Sequence, residues 1–484
     1  MIKLKYKRVR ALAAAEAAMH EEDIKKLLNI EKLKHCFECG VCTASCSMAE
    51  LLEDYNPRGL LEKIFLNVED ALSSHELWLC AWCYKCYRRC PQALEVPEIF
   101  LLVRTMAVKQ GYLHPLEKAV QKVAQNIPLP LVVTLVCLHP ERVGLNAQDV
   151  LETIRSERVK LKTKKTLKGD KYKVAVLGSG PAGLTVAYEL IRKGYPITVF
   201  ESLPELGGML RKCIPEYRLP KDVLEDELRF LAGLGVEFKV NVHVGKDLSF
   251  DDLWDEGYRA IFVGVGAHKT QRLKIEGEDL KGVMYALDFL WQIRNNAKVE
   301  LGKNVAVVGG GNVAVDAART ALKLGAENVT IFYRRSKAEM PANPWEVKEA
   351  EESSVKMEFL VAPKRILGEN GRVSAVELVR MKLGELDESG RRKPLPIEGS
   401  EFVFKADTVI LAIGEAPDLE FLPKCMVLND DGTIWVNPIT METSIRGVFA
   451  GGDVVTGPAS VIEAICAGKR AANAIENYLK AVEA

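Results

Sequence analysis

The sequence predicts an α/β protein in three parts: an α-helical, cysteine-rich N-terminal region and two parallel-sheet nucleotide-type folds. Three observations carry this prediction. A strand–turn–helix–strand pattern with glycines in GxGxxG spacing runs from Lys173 to Glu201, KVAVLGSGPAGLTVAYELIRKGYPITVFE. A second such pattern starts at Asn304, NVAVVGGGNVAVDAARTALKLGAENVTIFYRRS. Eight of the 12 cysteines fall in two runs of spacing C-x2-C-x2-C-x3-C, at 36–46 and 80–90.

Length and composition frame these parts. A chain of 484 residues suits about three domains. Apolar content of 48% and charged content of 27% are those of an ordinary globular protein. The 66 basic and 66 acidic residues cancel, which removes any global bias toward nucleic acid or an anionic membrane. The N-terminus opens with Lys3, Lys5, Lys7, Arg8 and Arg10, but Glu16 breaks its alanine stretch, which runs into His20-Glu21-Glu22-Asp23. It does not read as a signal peptide. The most apolar loop, 127–138, contains Pro128 and Pro130 and is too short to span a bilayer. The expected location is cytoplasmic, where disulfides do not persist and cysteines need another use.

Taken in order, residues 1–34 are expected to form an N-terminal helical segment, a solvated docking helix rich in alanine and alternating charge. A metal domain is expected at 35–112. Its first run is Cys36, Cys39, Cys42 and Cys46; its second is Cys80, Cys83, Cys86 and Cys90, followed by Pro91. Three thiolates at this spacing wrap one corner of a cubane, and the fourth, after a longer step, reaches the other cluster. That predicts a ferredoxin-like domain with two 4Fe–4S clusters. One takes Cys36, Cys39, Cys42 and Cys90; the other takes Cys80, Cys83, Cys86 and Cys46. Zinc is the competing metal, because CxxC pairs also build tetrahedral sites, but it leaves the extra C-x2-C-x3-C step without a purpose. Trp78, Trp82, Tyr84 and Tyr87 crowd the second run and are expected to shield a cluster from water. The stretch WLCAWCYKCYRRCPQALEVPEI, with the helical LLVRTMAVKQGY behind it, resembles the small iron–sulfur subunit of heterodisulfide reductases. Ser47 departs from that pattern, where a proline often follows the fourth cysteine. Residues 113–170, with a proline-rich bend and a run of lysines, read as a linker.

In the first nucleotide pattern, Val174–Leu177 supply a strand. Gly178 makes the tight turn, Gly180 lets the backbone approach a pyrophosphate, and Gly183 lets helix and strand pack closely. Ser179, Pro181 and Ala182 complete the loop, whose free amides face the phosphates. Glu201, 18 residues past Gly183, stands where an acid accepts a ribose hydroxyl. Further on the chain reads Leu206-Gly207-Gly208-Met209-Leu210 and then IPEYRLPK. These residues resemble the family of the glutamate synthase small subunit, which includes the N-terminal half of dihydropyrimidine dehydrogenase and the bifurcating ferredoxin:NADP oxidoreductases. The resemblance spans about 171–484. It implies that the first fold holds FAD and that Gly207, Gly208, Met209 and Arg218 lie on that cofactor. Cys213 stands where many members have glycine; it has no partner cysteine nearby in sequence and reads as packing.

The second nucleotide fold repeats the turn with Gly309, Gly310, Gly311, Asn312 and Val313. The acid after its second strand is missing, and Arg334 and Arg335 stand there. An acid would favour the free 2′-hydroxyl of NAD, whereas arginine suits a 2′-phosphate, so NADP(H) is expected with NAD(H) as the alternative. The chain returns through a strand ending in Ala412, Ile413 and Gly414. The closing signature is Gly451-Gly452-Asp453, then Ala459-Ser460-Val461 and a helix. It resembles two-dinucleotide flavoproteins, in which that aspartate binds the ribityl chain and the helix start faces the flavin. The expected partition is an FAD domain at 171–297 and 415–484, split by an NAD(P) domain at 298–414.

No residue is expected to transfer protons as a catalyst, since the cofactors own the chemistry and the protein aligns them. The sequence thus predicts an FAD-dependent NAD(P)H:acceptor oxidoreductase subunit that hands single electrons through two clusters to other redox subunits or a ferredoxin. The alternatives are a glutamate-synthase-type electron donor and a structural relay that binds FAD but turns over no nucleotide.

Overall fold

A computed structural model describes residues 36, 38–160, 172–387 and 390–483. The helix expected at 1–34 and the lysine-rich run 161–170 lie outside these residues. The chain divides into two compact units: one holds the residues up to Leu206, Lys221–Val265 and those from Glu420 onward; the other holds Gly207–Pro220 and Gly266–Leu419.

The first unit contains a parallel sheet of β1 (Lys173–Leu177), β2 (Ile197–Phe200), β3 (Glu237–Lys239), β4 (Tyr258–Val263) and β16 (Val448–Ala450), in the order β16-β4-β1-β2-β3. The inner strands are buried apolar runs, as a sheet covered on both faces requires. The order reverses between β1 and β4, which creates the crevice at the strand ends where such sheets take ligands. Ahead of the sheet come α1 (Val41–Ala44), α2 (Ser47–Leu51), α3 (Pro57–Leu66), α4 (Lys85–Arg89), α5 (Val96–Lys109), α6 (His114–Asn126) and α7 (Ala147–Val159). The sheet itself carries α8 (Pro181–Arg192), α9 (Lys221–Leu234) and the long C-terminal α13 (Val461–Glu483).

The stretch read as a linker is, as far as residue 160, helical and packed. Glu227 on α9 is fully buried, pairs with Arg158 of α7, and accepts the Leu131 N–H at 2.6 Å. Arg155 adds an ion pair to Asp226 at 2.6 Å. A buried carboxylate is tolerable only when paired and hydrogen-bonded, so this anchor specifies one docking of the helices. Proline interruptions break the helical period here, which is why the local pattern reads as a bend.

The second unit has its own parallel sheet of β6 (Val283–Tyr285), β7 (Asn304–Val308), β8 (Asn328–Tyr333), β9 (Lys356–Phe359) and β14 (Thr408–Leu411), in the order β6-β14-β7-β8-β9. A ribbon pairs β5 (Lys269–Thr270) with β15 (Glu415–Ala416). An antiparallel excursion follows β9: β10 (Val361–Glu369), β11 (Arg372–Leu386), β12 (Arg392–Pro396) and β13 (Phe402–Lys405). Its helices are α10 (Ala286–Arg294), α11 (Asn312–Lys323) and α12 (Pro344–Glu352). Alternate strand residues serve two cores: Val305 and Val307 meet the small alanines of α11, while Ala306 and Val308 share a cluster with Ile366, Val376 and Leu378 of the excursion. The unit therefore begins at Gly266, ahead of the expected start at 298, because β6 pairs with β14. It also takes in Gly207, Gly208 and Arg218, which the sequence reading had grouped with the first fold.

Candidate functional site

The two cysteine runs adopt the same backbone course. Glu38 and Gly40 flank Cys39 with φ of 51° and 73°; Trp82 and Tyr84 flank Cys83 with φ of 48° and 58°. These left-handed turns redirect the backbone on either side of the second cysteine of each run. Three of the four positions are not glycine, and such strain concentrates where function demands it. Tyr84 is held in place by a short hydrogen bond from its hydroxyl to Glu98 on α5. Trp78, Trp82 and Tyr84 are buried, as the shielding reading requires.

The thiols assort across the runs. Cys36, Cys39, Cys42 and Cys90 line one cavity. Cys46, which caps the start of α2, lies within electrostatic reach of Cys80 and Cys83, and Cys86 within reach of all three. Burial pushes the Cys46 thiol up to about 12 and that of Cys83 up to about 11, with the neighbouring Cys80 adding to both. Anionic sulfurs are thus disfavoured here without a cationic partner, which an iron–sulfur core would supply. Among the described residues no three Cys, His, Asp or Glu side chains gather tightly enough for a single ion.

In the first glycine loop, Gly178 has φ of 96°, and a Cβ there would stand 2.6 Å from the Gly264 carbonyl oxygen. A Cβ on Gly183 would stand 2.0 Å from the Gly178 oxygen. At Gly180, by contrast, the nearest protein atom would be 4.0 Å away, so the space beside it is left to a ligand. Pro181 starts α8 directly behind. Glu201 accepts the Ser179 N–H at 3.0 Å and hydroxyl at 2.6 Å on one oxygen and the Leu203 N–H at 3.0 Å on the other. The closing signature joins this loop: a Cβ on Gly452 would meet Ala182 at 3.0 Å. Asp453 accepts the Ala459 N–H at 3.2 Å, and Ser460 caps α13 by exchanging hydrogen bonds with Glu463, just ahead of Val461.

One face of α13 grips the loops of the second thiol set. Lys85, between Cys83 and Cys86, pairs with Glu463 at 3.0 Å. The Cys466 thiol donates to the Ser47 carbonyl at 3.3 Å, Lys469 to the Leu51 carbonyl at 2.9 Å, and Arg470 pairs with Glu50 at 2.9 Å.

In the second unit, Gly309 has φ of 146°, and a Cβ would stand 2.1 Å from the Ala412 oxygen; Gly311 has open space around it. Ala412, Ile413 and Gly414 follow β14, the strand beside β7, so they and Gly309–Val313 lie at one strand-order reversal. Ala342 donates to the Gly310 carbonyl at 3.0 Å, and the Asn312 side chain accepts the Asn343 N–H at 2.9 Å. Gly207 and Gly208 both have positive φ, and Met209 opens a short turn. Arg218 pairs with Asp316 at 2.7 Å and stands 2.9 Å from Glu346, without hydrogen-bond alignment to the latter. Burial pushes the Glu346 carboxyl up to about 7, against the opposing pull of Arg218. Cys213 packs against the core of this unit, and burial raises its thiol.

The two arginines at the end of β8 part ways. Arg334 is exposed, whereas Arg335 is 4% exposed and spent on the protein, donating to Asp387 at 2.6 Å and to the Arg392 carbonyl at 2.8 Å. Sequence reasoning also missed Asp316, Glu346 and Glu98, none of which belongs to a recognisable local motif. Among the described residues no helix is long and apolar enough to cross a membrane.

Comparisons with known proteins match a long C-terminal stretch and a shorter N-terminal one. The profile of the family described as "Pyridine nucleotide-disulphide oxidoreductase" matches residues 172–468, and that of the "4Fe-4S dicluster domain" matches 32–94. The NADP(+)-dependent formate dehydrogenase subunit beta of Moorella thermoacetica is 48% identical over 311 residues, covering 64% of this chain and 44% of that protein. The NADPH-Fe(3+) oxidoreductase subunit beta of Geobacter sulfurreducens is 37% identical over 439 residues, covering 82% of this chain and 63% of that one. The chain thus spans less than two thirds of the length of either. The small chain of Escherichia coli glutamate synthase is 41% identical over 325 residues, 64% of this chain and 69% of its own, as the GGML…IPEYRLPK resemblance leads one to expect. Mycobacterium tuberculosis FprA, solved in complex with NADPH, has the same fold at 21% identity and a TM-score of 0.54, over 65% of this chain and 86% of its own.

Proposed function

Because this chain belongs to the pyridine nucleotide-disulphide oxidoreductase family and carries a 4Fe–4S dicluster domain, we propose that it is the nucleotide-oxidising or nucleotide-reducing subunit of a larger redox complex. FAD, when bound, supplies the exchange between a hydride and single electrons. The chain's residues bind and orient the groups. The loop from Gly178 to Gly183 and the start of α8 hold the pyrophosphate, Glu201 the ribose, and Asp453 with Ala459–Val461 the flavin end. Gly309–Val313 and Ala412–Gly414 take the nicotinamide nucleotide, with Arg334 on its 2′-phosphate. Gly207, Gly208, Met209 and Arg218 are assigned to the flavin by resemblance, with Asp316 and Glu346 fixing the Arg218 guanidinium. Cys36, Cys39, Cys42 and Cys90 hold one cluster; Cys46, Cys80, Cys83 and Cys86 hold the other.

The observation that carries this reading is the grip of α13. The helix whose first residues would face the flavin is bonded through its next two turns to Lys85 and to α2, the segments beside the thiols of the second set. That set is therefore the one to exchange electrons with the flavin, and the first set is the one to exchange them with a partner. The relatives named for formate dehydrogenase, iron(III) reduction and glutamate synthase share this nucleotide half and differ in what they serve, which supports a common donor or acceptor module with exchangeable partners. Anaerobic purification at native expression levels tests it. A co-purifying redox subunit, with about eight iron, about eight sulfide and about one FAD per chain, is expected. Stoichiometric zinc without visible absorption would sink the assignment.

A further inference from the structure

We infer that Arg104, on α5, is the buried counter-charge of the second cluster and raises that cluster's reduction potential. The inference rests on the 4Fe–4S reading of the two thiol sets. Arg104 is 4% exposed and spends its guanidinium on backbone alone. Nε donates to the Leu77 carbonyl and Nη2 to the Cys80 carbonyl, both at 2.8 Å, and Nη1 reaches the Leu138 carbonyl at 3.4 Å. Leu77 belongs to the helical turn His75–Leu79, which leads directly into Cys80. The side chain thus clasps the backbone at the first cysteine of the second run.

Among the described residues no carboxylate pairs with Arg104. Burial works against its charge, and the groups that favour the charge are Cys80 first, then Tyr55. Tyr55 is itself buried, which holds its phenol well above the ordinary value and keeps it neutral. A buried cation without an anion is costly. A 4Fe–4S core carried by four thiolates has net negative charge and supplies the missing anion. A cavity beside Arg104 is lined by Trp78, Leu116, Val120, Val123 and Val150, so the charge acts through an apolar medium. Arg58, which lines the cavity of the first set, is partly exposed and faces Glu38 at 3.4 Å and Glu62 at 3.5 Å. Its charge is offset and screened. One electron delivered to a cluster adds one negative charge, with no bond made or broken. A fixed, unpaired cation therefore favours the reduced form at the second set alone.

Redox titration of the full-length holoprotein, followed by EPR, tests this. The signal altered by Cys46→Ser marks the second cluster. Arg104→Gln keeps a hydrogen-bond donor and removes the charge. It is expected to retain about eight iron per chain and to disfavour reduction of the second cluster about tenfold, a fall of about 59 mV for one electron, with the first cluster unmoved. Arg104→Lys keeps the charge and should stay near the wild-type potential, although it gives up the paired carbonyl bonds. An unshifted second cluster in Arg104→Gln, an equal shift of both clusters, or an Arg104→Lys protein shifted as far as Arg104→Gln overturns the inference. If Arg104→Gln loses its iron, Arg104→Lys decides: wild-type iron and potential uphold the inference, and lost iron or a lowered potential overturns it. A wild type that holds no iron overturns the 4Fe–4S reading instead.

Discussion

Gly180 and Gly183 stand three positions apart and answer to different partners. A side chain at Gly183 collides with backbone 2.0 Å away, whereas one at Gly180 reaches no protein atom nearer than 4.0 Å. Gly183→Val should therefore destabilise the fold by about 3 kcal/mol, an overpacking cost. Gly180→Val should melt like wild type and lose its FAD on desalting. Melting curves and flavin absorbance separate the two. Glu346 gives a pH prediction at the same scale. Burial pushes its folded carboxyl up to about 7 from its ordinary value of 4.5. Between those values the folded state holds a proton that the unfolded state has lost, so this contribution to stability is complete below pH 4.5 and disappears as pH rises through 7. Denaturant titrations of wild type should lose on the order of 1 kcal/mol per pH unit across that window, and Glu346→Gln should lack the slope. A parallel slope in both proteins would contradict it. The glycines were legible in the sequence because each turn forces its residue type. The division of labour between Arg334 and Arg335 was not, since it depends on Asp387, distant along the chain.

The matched left-handed turns around Cys39 and Cys83 make the cysteine loops a structural repeat, in which Cys90 shares a cavity with the first run and Cys46 lies within electrostatic reach of the second, as the proposed crossed ligation requires. Cys90→Ser should therefore damage the cluster held mainly by the first run, and Cys46→Ser the one held mainly by the second. Mössbauer or EPR spectra of the two variants distinguish this from damage confined to the mutated run. This element was readable from spacing alone. The helices between 114 and 159 were not, because their place is set by Glu227, Arg158 and Asp226, and those ion pairs have no signature in the local pattern. The place of α13 was half legible: its N-terminal motif marks the helix start, while its grip on α2 and Lys85 arises from residues some four hundred positions away.

Across the whole chain, the insertion of one nucleotide fold into another follows from the order of the motifs, and two parallel sheets with matching strand-order reversals realise it. The boundary lies earlier than the motifs suggest because β6 belongs to the second sheet. The central claim is that electrons pass between nucleotide and clusters only by way of the flavin. Rapid freeze-quench EPR of the anaerobic holoprotein mixed with NADPH tests it, with FAD-depleted Gly180→Val as the control. Wild type should develop the signal of a reduced cluster, and Gly180→Val should stay silent with NADPH while dithionite reduces its clusters normally. Clusters that NADPH reduces equally well in both proteins would contradict the account.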